Sequence, residues 1–229
     1  MGLGVLIIGK SGAGKSSSLR NFVPGEVGIV NVLNKPLPFR SDLKAVQMTD
    51  YQQIEGLIAA AKAKSIVIDD AGYLITNMFM DRHALTGKGN AVFDLYNDLA
   101  DRFYHLVRFV DSVDPDKIVY FMMHEDKNDF GDIAPKTIGK LLSEKVDVAG
   151  LFTICLRCMV EDGKHVFKTQ SSGFDVAKSP MGMFADTTID NDLKLVDDTI
   201  REYYGIQADP AAEAEPTKKS NKSEKVEDK

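Results

Sequence analysis

The sequence predicts an α/β fold: a mostly parallel sheet flanked by helices and extended, late in the chain, by an antiparallel hairpin. Three observations predict it. Short, continuous apolar runs, of the kind found in strands buried on both faces, alternate with segments of helical spacing. A Gly-rich run, Gly9-Lys10-Ser11-Gly12-Ala13-Gly14-Lys15-Ser16, stands between the first apolar run and a helical segment. Two late strand-like runs are joined by Glu161-Asp162-Gly163-Lys164, whose Asp-Gly centre favours a type I′ turn. Alternating strands and helices give parallel pairing through crossovers, and the hairpin adds an antiparallel edge.

Taken in order, Leu3–Ile8 is the first buried strand, and a helix is expected from Gly14 to about Phe22. Val27–Leu33 reads as the second strand. Thr49-Asp50-Tyr51-Gln52 has the pattern of a capping box, with Ile54, Leu57, Ile58 and Ala61 at helical spacing behind it. Ser65–Asp69 is another buried strand. Asn90 opens the longest helix, whose apolar stripe is Val92, Leu95, Tyr96, Leu99, Phe103, Leu106 and Val110. Lys117–Met123 is the next strand, Leu151–Val160 and His165–Gln170 form the hairpin, and a last helix runs from Asp190 to Tyr204, with Gly205 as its C-cap. From Gln207 onward Ala, Pro, Glu, Lys and Ser dominate. Such a segment buries too little apolar surface to offset its ordering entropy, so residues 207–229 are expected to be a disordered charged tail behind a folded domain at 1–206. There is no internal repeat.

The 229 residues suffice for one α/β domain. A net charge of -6 excludes a general polycation, so any nucleic-acid contact has to come from a local basic surface. The two cysteines, Cys155 and Cys158, are too few for a disulfide framework; an i, i+3 pair on a strand points to opposite faces, which reads as core packing rather than half a zinc site. Val5–Ile8 is too short for a signal peptide or a membrane span, and Leu6 breaks the myristoylation pattern that Gly2 would begin. A soluble, cytoplasmic protein without membrane contact is the expectation.

The strongest chemical signal is the Gly9–Ser16 run, a full GxxxxGK[ST] match in a strand–loop–helix context, which is the signature of a P-loop nucleoside triphosphatase. Glycines let backbone N–H groups turn inward around phosphates, so Gly9, Ser11, Gly12, Ala13, Gly14, Lys15, Ser16 and Ser17 are the candidate ATP-binding residues. Lys15 would reach the β- and γ-phosphates, and Ser16 would ligate Mg²⁺. The strand ending in Asp69 reads as a Walker B element, its carboxylate a second Mg²⁺ anchor, and Asp70 is either the acid that activates water or a helix N-cap. His124, after the strand Lys117–Met123, is a candidate γ-phosphate sensor or a plain loop histidine. Lys136 and Lys140 fall in a long Asp-, Gly- and Lys-rich connection at 127–145; they suit a single-stranded DNA backbone or the solvated face of a short helix at Thr137–Lys145.

A P-loop near the N-terminus, a Walker B strand, a polar strand tip at His124 and a late hairpin together resemble the RecA-like ATPase core. The compact form is similar to the phage nucleotide-binding ATPases, of AAA type, linked to single-strand DNA annealing and recombination, as is Lys178-Ser179-Pro180-Met181-Gly182-Met183-Phe184 after the hairpin. The resemblance implies ATP hydrolysis with Mg²⁺, action on single-stranded DNA, and a homo-oligomer with nucleotide at the subunit interface, where Lys178 would act on a neighbour's nucleotide. One departure stands out: RecA-like cores carry a glutamate at the end of the second strand, whereas Ile29–Asn34 ends without an acid. Either Asp70 does that work, with Glu125 in reserve, or hydrolysis is slow. Lys10 resembles the additional lysine of the deviant P-loop ATPases, which have Gly where this chain has Ser11. A small-molecule kinase and a nucleotide-switched interaction protein are the competing functions, and the scattered Arg82, Arg102 and Arg108 offer no kinase lid.

Overall fold

The apolar runs at residues 5–8, 66–68 and 118–123 become strands sealed on both faces. The computed structural model describes residues 1–206, so the tail expected at 207–229 lies outside the described residues. In chain order the elements are β1 (Leu3–Gly9), a 3-10 segment Ser16–Asn21, β2 (Val27–Asn31), β3 (Ala45–Val46), α1 (Tyr51–Ala60), β4 (Ser65–Asp69), α2 (Gly72–Arg82), α3 (Asn90–Phe109), β5 (Ile118–Lys127), β6 (Ile133–Pro135), a π-helical turn Leu141–Val146, β7 (Ile154–Glu161), β8 (Lys164–Lys168), β9 (Thr188–Asp190) and α4 (Leu193–Tyr204). The strands form one mixed, mostly parallel sheet in the order β3-β2-β4-β5-β1-β7-β8-β9, with β6 paired to the far end of β5. β3, β2, β4, β5, β1 and β7 pair in parallel, and β8 and β9 join antiparallel. The structure is thus α/β with helices on both faces.

Side-chain alternation along β1 sorts the core. Leu6 and Ile8 face a layer built on α1, α2 and α3, while Val5 and Ile7 face Leu19 and Phe22 beside the 3-10 segment, together with Val196 and Ile200 of α4. The expected stripe of α3 is buried at Leu95, Leu99, Phe103 and Leu106, whereas Val92 is exposed. The two cysteines divide as alternation requires, Cys155 into the first layer and Cys158 into the second. The hairpin turn has positive φ at both Asp162 (50°) and Gly163 (76°), the type I′ requirement.

Five local expectations change. The helix expected at Gly14–Phe22 is a six-residue 3-10 segment. Three successive serines have weak helix propensity, and the Ser18 hydroxyl donates to the Lys15 carbonyl at 2.6 Å, beside the i→i−3 bond from the Ser18 N–H at 3.2 Å. α1 is capped by Asp50, whose carboxylate accepts from the Gln53 N–H, and not by Thr49. α4 starts at Leu193 behind Asp192, which accepts from the N–H groups of Lys194 and Leu195. β5 does not stop at Met123; it runs on to Lys127 because β6 supplies antiparallel partners to Glu125, Asp126 and Lys127. The stretch 127–145 is therefore not a single loop, since it contains β6 and the start of the π-helical turn. Among the described residues, no helix is long and apolar enough to cross a membrane.

Candidate functional site

The carboxyl ends of β1, β2, β4 and β5 open onto one cleft of about 270 Å³, lined by Gly12, Gly14, Lys15, Ser16, Asn31, Lys35, Asp69, Asp70, His124 and His165 among others. In an open parallel sheet this is the end at which ligands gather. β5 lies between the strand that enters the Gly-rich loop and the strand that ends in Asp69, with His124 level with Gly9.

The loop is fixed from behind. The Ala13 carbonyl accepts hydrogen bonds from His165 Nδ1 at 2.7 Å and from the Cys158 thiol at 3.1 Å. A carbonyl acceptor requires His165 to carry its proton on Nδ1. Burial pushes the Cys158 thiol up to about 12, so it stays protonated and able to donate. In a planar trans peptide the C=O and the following N–H point in opposite directions. Holding the Ala13 carbonyl against β7 and β8 therefore turns the Gly14 N–H the other way. Asn191 braces this arrangement, its Nδ2 donating to Cys158 Sγ at 3.2 Å. A side chain at Gly14 would be strained: its φ is +108°, and a Cβ there would lie 2.9 Å from His165 Nδ1, which would have to shift.

Lys15 is 6% exposed, and its ammonium donates to the carbonyls of Gly9 (2.7 Å) and Lys10 (3.1 Å). Burial lowers its pKa, against the opposing pull of the carboxylates of Asp70, Asp69 and Glu125. Ser16 Oγ donates to Asp69 Oδ1 at 3.0 Å, joining the loop to the end of β4. Asp69 is itself buried, which raises its pKa; the Ser16 bond opposes that shift and Asp70 adds to it. Ser16 and Asp69 thus place two hard oxygens side by side, a donor set that suits Mg²⁺, which favours few protein ligands and keeps several waters.

Asp70 has a left-handed backbone (φ 61°), a conformation that Asp tolerates better than most residues. It is not a helix N-cap, since α2 begins behind Ala71 without a side-chain cap. Its carboxylate meets Lys35 Nζ at 3.1 Å and His124 Nε2 at 3.4 Å. Burial lowers the pKa of His124, and Lys15 lowers it further, so the ring is neutral at pH 7; Tyr73 packs on it edge-on. Glu125 is bound bidentately by Arg157 at 2.8 and 3.1 Å, with Asp175 completing a buried cluster, so the reserve base is committed to a cation.

The structure gathers Gly9, Gly12, Gly14, Lys15, Ser16, Asp69, Asp70 and His124 at one end of the sheet, with Ser11 and Ser17 on the rim and the Ala13 carbonyl taken up by His165 and Cys158. Lys10 lies on the other side of the loop, in a recess with Glu125 and Arg157. Lys178 is not among the cleft residues. Its backbone pairs with Cys155, which is level with Leu6, three residues below Gly9 and so roughly 10 Å from it along the strand. Sequence reasoning missed Asn31, Lys35, Cys158, His165 and Asn191 as members of the site. Only Lys35 carried a signal, as the cation just past a strand end where an acid was sought. The chain matches no family model and no curated protein.

Proposed function

We propose that this chain is a P-loop ATPase of RecA-like type that binds ATP with Mg²⁺, hydrolyses it and acts on single-stranded DNA. The observation that carries the reading is the convergence of Lys15, Ser16 and Asp69 from two separate strands beneath a loop whose Ala13 carbonyl is held by His165 and Cys158. Backbone N–H groups and the Lys15 ammonium complement a polyphosphate, and Lys15 exchanges two carbonyl oxygens for phosphate oxygens when one arrives. The 3-10 segment behind Ser16 is too short to add much helix dipole, so the loop amides and Lys15 carry the recognition. Mg²⁺ on Ser16 and Asp69 supplies charge neutralisation to the phosphates.

For hydrolysis, Asp70 is the carboxylate placed to orient water and take its proton, and neutral His124 beside it is placed to donate a hydrogen bond to a terminal phosphate. The polar position on β5, between the loop strand and the acid strand, supports the RecA-like reading over a small-molecule kinase. The phage recombination resemblance supports DNA as the partner, with Lys136 and Lys140 as backbone contacts, and a head-to-tail oligomer in which Lys178 acts on a neighbour. A second reading, a nucleotide switch with slow turnover, is favoured by one fact: Asp70 is already paired with Lys35.

ATP turnover measured with and without single-stranded DNA, beside a phosphoryl-transfer assay on nucleosides, tests the proposal. DNA-stimulated release of phosphate supports it. Tight binding with negligible turnover moves the function to the switch, and transfer to a nucleoside moves it to the kinase.

A further inference from the structure

We propose that Lys35 is a second cationic ligand of the nucleotide's terminal phosphate, and that it gives up Asp70 when the phosphate enters; the inference rests on the nucleotide reading above and assigns a residue to that site.

Lys35 is held in a built position. Asn31, 7% exposed at the end of β2, receives the Lys35 backbone N–H on Oδ1 at 3.2 Å and donates from Nδ2 to the Lys35 carbonyl at 2.5 Å. One buried amide thus pins both backbone groups of one residue. The turn before it is set by Asn34 at φ 53°. A lysine serving only solubility needs no such clamp. The side chain then crosses from β2 to the end of β4, rests over the Tyr73 ring with Nζ 5.6 Å from its centroid, and meets Asp70 on the rim of the cleft.

Charge decides what the ammonium does there. Asp69 and Asp70 face Lys15 and Lys35, while His124 is neutral. Without Lys35 the cleft would set one cation against two carboxylates, an arrangement that repels a polyphosphate. The Lys35 side chain is 60% exposed against 14% for Asp70, so the lysine is the mobile partner. An exposed ion pair of this kind is weak, and a phosphate oxygen bearing more charge than a carboxylate displaces it readily. Lys35 therefore exchanges Asp70 for phosphate, which releases Asp70 toward the attacking water.

The test is calorimetric titration of the full chain with ATP and, separately, ADP, each with Mg²⁺. Lys35→Ala is expected to weaken ATP binding about tenfold, the scale of one charge-assisted hydrogen bond, and to leave ADP within about twofold, with Lys35→Arg restoring most of the loss. Asp70→Asn approaches from the other side: it frees the ammonium, so ATP binds more tightly, and that gain disappears in the Lys35→Ala/Asp70→Asn double variant. Equal affinities for both nucleotides in Lys35→Ala and wild type, equal losses for both, or an Asp70→Asn gain that persists in the double variant overturns the inference while leaving the nucleotide site standing. Wild-type protein that binds neither nucleotide, or a Lys15→Ala protein that binds both normally, overturns the nucleotide reading and this inference with it.

Discussion

The two ends of β4 carry polar clusters of opposite character. At its start, Ser65, Tyr120 of β5, and Asp197 and Arg201 of α4 form a closed knot: Ser65 Oγ and Tyr120 Oη both donate to Asp197 Oδ1 at 2.7 Å, and Arg201 Nε donates to Asp197 Oδ2 at 2.7 Å. Both members of the Asp197–Arg201 pair have side chains 5% exposed. At its end, Asp69 and Asp70 face Lys15, Lys35 and His124 across an open cleft, and burial shifts Lys15 down and Asp69 up. One cluster satisfies its charges internally and fastens α4 to the sheet. The other holds groups whose charged forms are disfavoured as they stand and improved by an incoming ion. The difference teaches that burial of polar groups does not by itself mark a site; charge held in a cleft without full compensation does.

Substitutions at the two ends should separate function from stability. The largest effect is expected from Lys15→Ala or Asp69→Asn, which should lower ATP turnover on the order of a thousandfold, while the far-UV spectrum and a cooperative unfolding transition are retained. Loss of the unfolding transition along with activity would merge the two clusters into one structural role. Next, Asp197→Ala leaves Arg201 buried without its carboxylate, at a cost of about 3–5 kcal/mol in chemical denaturation, with specific activity kept in whatever fraction is folded. An unchanged midpoint would mean that the knot is not what fastens α4.

Much of this contrast was legible in the sequence at the cleft end and little of it at the other. The Gly9–Ser16 run and the strand ending in Asp69 could be read because spacing and chemistry coincide within short segments. Asn31 could not, and Lys35 only as a cation just past a strand end, because the requirement there is set by the neighbouring strand: Lys35 matters only once Asp70 lies 3.1 Å away. Cys158 and His165 converge on Ala13 from two strands, with Asn191 bonded behind Cys158 from the end of a third, a meeting that no local pattern records. α2 entered the sequence reading only as a segment for Asp70 to cap, because its buried face is just Leu74, Ile75 and Met78. The extension of β5 looked like a loop because its polar residues lie beyond the parallel sheet and gain partners only from β6.

Smaller effects sharpen the contrast further. Asp70→Asn should slow hydrolysis about a hundredfold, the range expected for removal of a general base, without weakening nucleotide binding; normal turnover would place the base elsewhere. The sign of the pH dependence also differs between function and stability. Asp69 has a raised folded-state pKa, so the folded chain holds its proton more tightly than the unfolded chain, and stability falls as pH rises from the ordinary carboxylate range through the raised value. Metal-dependent nucleotide binding runs the other way, because it needs the carboxylate, and should fall as pH drops through the same window. Asp69→Asn should therefore raise the melting temperature, while turnover is lost. A lower melting temperature would mean that the charged Asp69 is fully compensated in the folded protein, as the Asp197 cluster is.

The most direct measurement is an isothermal titration of ATP with Mg²⁺ into wild-type protein and into Lys15→Ala at matched folded concentration. The cleft described here predicts saturable binding at one site per chain in the wild type and a loss of at least about a hundredfold in the variant, with the two proteins unfolding alike. Absence of binding by the wild type, or equal binding by both proteins, would contradict the assignment of this cleft to a nucleotide.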